Sequence, residues 1–560
     1  MDLENSSQAA LKHDGIAAPL RFPVYRRIWL ASLLSNLGLL IQGVGAAWAM
    51  TQLASSPEMV ALVQTALMLP VMLVAIPAGA AADMYDRRRV IIAALLISLI
   101  GASLLSALAL AEQISPLILL FFTFVIGSGM ALFGPAWQAS VSEQVPVEAL
   151  PSAVALNSIS FNIARSFGPA IGGVIVATVG AVAAFIANAL LYLPLLFVLL
   201  TWRRVHEPPR LPPERMGRAI ISGARYIIHS PPIRIVLVRT FLTGIVGASV
   251  SALMPLVARD LVAGGAQTYG LMLGCFGLGA VAGALNIAAV RRRLSTERAI
   301  GVSAIVMGLA ICTIALSRSL PITGCALVVA GAAWMLSVTL YNITVQLSIP
   351  RWVTGRALAG FQAAIAGGIA IGSSIWGSAT SHWSVEIALL LSGAAMALLP
   401  LLAWWLPLPL AETPADEALE PLADPEVNLN LNPRSGPVVV EIDYRVALQD
   451  ARPFYQLMQQ VQLIRQRNGA HDWSIARDIA SPELWTERYS CSTWLDYLRQ
   501  RDRATEAERQ VEREAHAFQS GDTPLVVRRR LERPLGSVRW QEETPDRQSG
   551  LPSQVIPSGI

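Results

Sequence analysis

The chain has 560 residues, 54% of them hydrophobic and only 14% charged, whereas about a quarter of a soluble domain is charged. Four cysteines without a Cys/His cluster, a Walker-type glycine loop or a Ser-His-Asp arrangement argue against a disulfide scaffold, a metal site, a pump driven by ATP on this chain and a hydrolase. Residues 1–410 hold 24 Lys+Arg and 14 Asp+Glu, and residues 411–560 hold 18 and 24, so a long, apolar, basic part precedes a shorter, polar, acidic one.

Residues 1–27 form a polar leading segment. A bilayer-spanning helix needs about 20 apolar residues. Runs of that length fall at 28–53, 60–82, 90–111, 117–137, 153–177 and 181–201, then at 235–258, 269–290, 299–317, 321–347, 357–379 and 385–406. The first is too long for the core of a signal peptide. The spacing predicts an all-α membrane protein of twelve transmembrane helices in two six-helix bundles, 28–201 and 235–406, around a polar loop at 202–234. With the N-terminus cytoplasmic, 20 Lys/Arg lie on that side and only Arg259 and Arg318 on the other, while Arg165 and Arg239 lie within spans. Basic residues stay cytoplasmic, so both termini are expected there, in a multi-pass protein of the cell inner (plasma) membrane. Trp404 and Trp405 close the last span, as amphipathic rings prefer.

The halves repeat. Gly79 and Gly283, Arg87 and Arg291, Pro146 and Pro350, Gly168 and Gly372, and Gly173 and Gly377 share one offset of 204 residues. Two pseudo-symmetric bundles with a cavity between them near the midplane follow from it. Between the halves, Arg215 to His229 is helical in pattern. Ile220, Ile227 and Ile228 share one face, which suits an interfacial helix on anionic lipid or a plain tether.

Residues 411–434 read as a linker. Strand, helix, strand, strand, helix, strand patterns follow within 436–540: Val438–Val446, Gln449–Arg467, His471–Ile479, Leu484–Cys491, then two helical stretches, Thr493–Arg501 and Thr505–Phe518, and Leu525–Leu531. That order predicts a small cytoplasmic α+β ferredoxin-like domain, with a disordered tail at 541–560. Its His471, His516, Trp473 and Trp494 suit surface or core roles better than a pocket.

The loop after the second span reads Gly79-Ala-Ala-Ala-Asp83-Met-Tyr-Asp86-Arg87-Arg88-Arg89. It resembles the cytoplasmic signature of the major facilitator superfamily, in the D-x-x-D-R-R form of the branch holding the enterobactin exporter and the transmembrane secretion effectors. Met84 and Asp86 replace the superfamily's Arg and Gly. The resemblance implies a gating motif of Gly79, Asp83, Asp86 and Arg87–Arg89, repeated at Gly283 and Arg291, Arg292 and Arg293, that locks the cytoplasmic side shut in one state. The fifth span ends Gly168-Pro169-Ala-Ile-Gly172-Gly173, which resembles the antiporter signature of drug exporters, although Ala155 and Ala164 replace its two upstream glycines. The tail loosely resembles dimeric α+β-barrel domains related to antibiotic-biosynthesis monooxygenases, which implies a route to self-association.

Arg165 stands out, since a charge in a span faces a cavity or a partner. Ser158, Asn162, Arg165, Pro169 and Gly172 form one stripe at helical spacing. The repeat equivalent of Arg165 is Ile369, a difference that scaffolding does not need, so Arg165 is expected to serve substrate or coupling ion; otherwise it snorkels or pairs with Asp83 or Glu143. Asn36, Gln42, Gln64, Asn342, Gln346 and Gln362 are further cavity candidates, as amides within apolar runs, and Arg239 lies near enough to a helix end to snorkel. The spans hold no central Asp or Glu, so proton coupling comes from the resemblance alone. The function expected is secondary export, by alternating access and proton antiport, of a small amphipathic molecule such as a siderophore, drug or secondary metabolite. The partners expected are that solute, protons and the lipid bilayer, with no cofactor, nucleic acid or enzymatic activity. The alternatives are solute import, or a membrane-anchored sensor or enzyme acting through the C-terminal domain.

Overall fold

Twelve helices long and apolar enough to cross a bilayer lie among the described residues. The computed structural model describes residues 18–146, 149–202, 216–349, 353–408, 425, 427–429, 431–520 and 524–532. The leading segment up to residue 17, the start of the central loop, most of the 411–434 linker and the 541–560 tail therefore lie outside the described residues. The first six spans are α1 (Pro23–Leu53), α2 (Pro57–Met84), α3 (Arg87–Leu110), α4 (Pro116–Ser140), α5 (Leu150–Val179) and α6 (Ala181–Thr201). A short helix, α7 (Met216–Ile228), precedes α8 (Pro231–Leu256), α9 (Ala266–Arg293), α10 (Thr296–Leu316), α11 (Leu320–Leu347), α12 (Thr354–His382) and α13 (Val385–Leu398).

Most of these helices overrun their apolar stretches, because caps and first turns are polar yet helical. Pro23, Pro57 and Pro116 open α1, α2 and α4, where a missing N–H costs nothing. The Ser115, Ser295 and Ser384 hydroxyls accept from the Ile118, Arg298 and Ile387 amides and so cap α4, α10 and α13. The last span leaves α-helical geometry early, passing into a 3-10 segment, Leu399–Trp404.

The chain divides into two compact units: Met1–Ile220, Pro232–Gln346 and Gly355–Leu410 in the first, and Ile221–Pro231, Leu347–Thr354 and Ala411–Ile560 in the second. Within the first, the 204-residue repeat appears as matching contacts. A Cβ on Gly173 of α5 would stand 2.7 Å from the Gly270 Cα of α9, and one on Gly377 of α12 would stand 2.6 Å from the Ala61 Cβ of α2. A Cβ on Gly168 would meet Leu40 of α1, and one on Gly372 would meet Ile245 of α8. These four repeated glycines therefore let their helices approach symmetry-related neighbours closely.

The second unit carries an antiparallel sheet in the order β2-β3-β1-β4, from β1 (Val438–Arg445), β2 (His471–Arg477), β3 (Leu484–Cys491) and β4 (Val526–Leu531). Helix α14 (Ala451–Asn468) follows β1, and α15 (Trp494–Asp502) and α16 (Glu506–Ala517) follow β3. This is the expected ferredoxin-like succession, its second crossover split where a Thr505/Glu508 capping box starts a new helix. Val438, Val440, Ile442 and Tyr444 turn to the helices with Phe454, Met458, Val461, Trp485 and Tyr489 as the core, while Glu441 and Asp443 on the other face pair with Arg530 and Arg528.

The end of α7 packs into this unit. Arg225 donates to the Gly469 carbonyl at 2.9 Å, at the C-cap of α14. Tyr226 is buried near Arg467 and Glu508, and burial raises its phenol to about 12. The Arg225–Tyr226 face of α7 is thus bound by protein, while Ile228, on the face expected to meet lipid, is exposed. Tyr226→Ala is expected to free the segment, read as faster tryptic cleavage after Arg225 than in the parent chain.

Candidate functional site

A charge at the centre of a span costs about 3 kcal/mol or more, so the arginines of the membrane part show where the chain has had to supply partners. Arg87 donates to Glu143 at 2.8 Å and to the Ala139 carbonyl at 2.9 Å, joining the start of α3 to the end of α4. Arg88 donates to the Leu199 and Leu200 carbonyls at 2.6 and 2.7 Å, at the negative end of α6. Asp86 accepts from the Arg89 amide at 3.1 Å and caps α3, which gives the departure from the superfamily's glycine a local purpose. Asp83 ends α2, and its side chain lies outside the described residues. A Cβ on Gly79 would lie 3.5 Å from Ala359 of α12, whereas one on Gly283 would meet the Ala332 carbonyl of α11 at 2.5 Å. Arg291, Arg292 and Arg293 end α9 exposed.

Arg239 does not snorkel: it is 2% exposed. It pairs with Glu297 at 2.7 Å and donates to the Leu406 carbonyl at 3.2 Å, tying α8, α10 and the end of the last span together. The sequence offered no partner because Glu297 belongs to a different helix, 58 residues on.

At the end of the bundle away from the arginine loops, the halves meet closely. Arg259 donates to the Thr51 carbonyl at 3.2 Å, Trp48 stacks on Tyr269 with ring centres 6.4 Å apart, and the Gly173–Gly270 and Gly377–Ala61 approaches lie here. Along α2 and α12, Thr65 donates to the Ala370 carbonyl at 2.9 Å and lies 3.1 Å from the Ser374 hydroxyl. On α5, the Arg165 and Pro169 carbonyls would both stand 2.7 Å from Cβ atoms on Gly277 and Gly270 of α9. Ser158, two turns earlier on the same side, is exposed, as are Val154 and Phe161 beside it. Helices α5 and α9 are thus pressed together from Arg165 outward, and the α5 face is open toward the arginine-loop end.

Ser158, Asn162 and Arg165 of the expected stripe lie toward that face, whereas Pro169 is buried and Gly172 packs on α1. Ser158 donates to the Val154 carbonyl at 3.2 Å, and Asn162 donates to the Ser158 carbonyl at 2.9 Å. Arg165 lies half-buried with its guanidinium 5.9 Å from the centre of the Phe276 ring of α9. Gly168 and Gly172 turn to α1 and Gly173 to α9. The amides divide. Gln42 is buried and accepts from the equally buried Asn188 of α6, so it serves packing rather than a cavity. Gln346 donates to Asn342 one turn away; Asn36 and Gln64 are half-buried, and Gln362 is exposed. The sequence missed Thr65, Trp48, Tyr269 and Phe276, which look like ordinary apolar-span residues until the partner helix is known.

Two repeated six-helix bundles, close-packed through paired glycines, are the architecture of a membrane transporter. The chain matches the family described as Transmembrane secretion effector over residues 15–535; it belongs to that family, within the major facilitator superfamily. The matched span runs on through the sheet domain. It is 26% identical over 341 residues to the multidrug efflux pump Tap of Mycolicibacterium fortuitum, covering 59% of this chain and 83% of that one. It is 24% identical over 283 residues to the staphyloferrin A transporter of Staphylococcus aureus (strain NCTC 8325 / PS 47), covering 50% and 71%. In fold it is similar to a mutant form of the nucleoside transporter NupG (TM-score 0.58, 12% identity, 68% of this chain and 99% of that one). It is also similar to a bacterial homolog of the human lysosomal transporter Spinster in an inward-facing, unoccupied conformation (TM-score 0.54, 15% identity, 68% and 94%). The chain is a membrane transporter and not an enzyme.

Proposed function

We propose that this transporter exports a small amphipathic molecule, a drug, siderophore or other secondary metabolite, by alternating access in exchange for protons. The one-sided fit of α5 on α9 carries the reading: the bundles are pressed together at one end while the Ser158–Arg165 stripe is open toward the other. Rocking about this contact would carry a solute held on the stripe from one side to the other. The 20-to-2 distribution of Lys and Arg supports placing the open end and both termini in the cytoplasm of a cell with this protein in its inner membrane. The direction is supported by the GPxxGG end of α5 and by relatives named as an efflux pump and a siderophore transporter.

Inside-out membrane vesicles test it. With respiration acidifying the lumen, vesicles holding the full chain are expected to accumulate an amphipathic dye, and nigericin with valinomycin should release it. Accumulation only in right-side-out vesicles would reverse the direction, and accumulation that survives the ionophores would remove proton exchange. The chain truncated after Leu410 should still accumulate dye; loss of all activity with insertion intact would assign the function to the C-terminal domain.

A further inference from the structure

The arginines of the membrane part are not alike. Arg87 has Glu143, Arg239 has Glu297, Arg259 has Asp260 and Arg318 has Glu386. Arg165 has no carboxylate and no hydrogen-bond acceptor among the described residues; the Phe276 ring is what faces it.

Position removes the bland explanation. Helix α5 has 30 residues from Leu150 to Val179, and Arg165 is at its middle, about 22 Å along the axis from either end at 1.5 Å per residue. The hydrocarbon half-thickness is about 15 Å, so lipid phosphates are out of reach of an arginine anchored at the midplane. A ring contact contributes about 0.5 to 2 kcal/mol, which does not offset a central charge costing about 3 kcal/mol or more. Symmetry does not explain the charge either. The twin position, Ile369 of α12, packs into the apolar cluster shared by the halves, next to an interface closed by the Thr65 hydrogen bond to Ala370. One of two related interfaces is therefore sealed by neutral groups and the other carries a cation unanswered among the described residues, beside an aromatic ring and at the inner end of the open Ser158 face.

We propose that Arg165 is an anion-recognition residue and that the solute is an amphipathic organic anion, its charged oxygens on the guanidinium and its apolar body against Phe276, with the Ser158 and Asn162 side chains completing the polar rim. A guanidinium offers paired donors to a carboxylate, phenolate or phosphate oxygen pair, and a passing anion would supply the partner that Arg165 lacks among the described residues. This deepens the transport reading above and rests on it for the movement of the anion, though not for its binding.

The experiment uses the purified full-length chain and two dyes of one ring system, anionic fluorescein and cationic rhodamine 6G. Fluorescence polarisation reads binding and proteoliposome uptake reads transport. Fluorescein is expected to bind and move; Arg165→Gln should weaken its binding about tenfold, Arg165→Lys should restore part of it, and rhodamine 6G, which carries no anionic oxygen pair, should lose several-fold less than fluorescein does. An unaltered melting temperature shows that the variants are folded. No fluorescein binding, or binding unchanged in Arg165→Gln, overturns the anion site even if rhodamine is transported. Arg165-dependent binding without uptake of either dye overturns the transport reading and leaves the anion site standing.

Discussion

Replacing Gly173 by valine is expected to push the chain out of the conformation described here. A first side-chain carbon at Gly173 would lie 2.7 Å from the Gly270 Cα and 2.9 Å from the Ala266 carbonyl. Both are backbone atoms, so no rotamer change relieves the clash and the helices themselves must part. Overpacking of this kind costs about 1 to 3 kcal/mol, a shift of roughly fivefold to 150-fold between two conformations. If the halves rock about this contact, the wedge removes population from the state closed here, and the Ser158 face closes. The measurement is labelling of a Ser158→Cys chain by an impermeant maleimide added from the arginine-loop side, with Cys275, Cys312 and Cys325 replaced by serine. Cys491 can stay: it is fully buried, and burial pushes its thiol up to about 12, where alkylation is slow. Labelling should fall several-fold with Gly173→Val and with Gly377→Val at the related interface. Gly134→Val, where an added Cβ meets nothing within 4 Å, should leave it unchanged. Equal labelling in all three would mean that the glycine contacts are static packing and that the bundles do not rock about them.

The twelve spans could be read because a bilayer forces about 20 apolar residues into each of them, and Arg165 could be singled out because a charge in such a run is conspicuous. What could not be read is pairing. Gln42 looked like a cavity amide because Asn188 is 146 residues away, and Arg239 looked like a snorkelling residue for want of Glu297. The partner of Arg225 is 244 residues on, in another compact unit from most of the spans. The succession of strands and helices was legible from alternation and turn spacing, but the residues that bind α7 to the domain are ordinary polar residues. Such contacts leave no local pattern, since helix and strand periodicities specify a face and not its occupant.

The same limit hid the C-terminal domain's main internal ion pair, and removing it should be the costliest single change there. Glu487 is fully buried. It accepts from the Arg465 Nε at 3.0 Å, the Trp473 Nε1 at 3.0 Å and the Tyr444 hydroxyl at 3.1 Å. Burial, with the Glu487 charge adding to it, holds the Tyr444 phenol well above its usual range, so it stays a donor. Arg465 also reaches Glu512 and lies over the Tyr489 ring at 5.0 Å. Glu487→Ala would leave a buried cation half-answered and two donors without acceptors, a loss of about 3 to 5 kcal/mol. Since whole domains are held by only about 5 to 15 kcal/mol, pulse proteolysis of the full chain in urea should show the sheet domain digested at far lower denaturant. Glu487→Gln keeps an acceptor and the shape and should fall between. Replacing both partners, Glu487→Leu with Arg465→Met, removes the charges together and should recover much of the loss. That recovery separates two roles for the pair. A double variant that regains stability and transports normally assigns Glu487 and Arg465 to folding, whereas one that regains stability but loses transport would mean that the domain's buried charges act in the transport cycle.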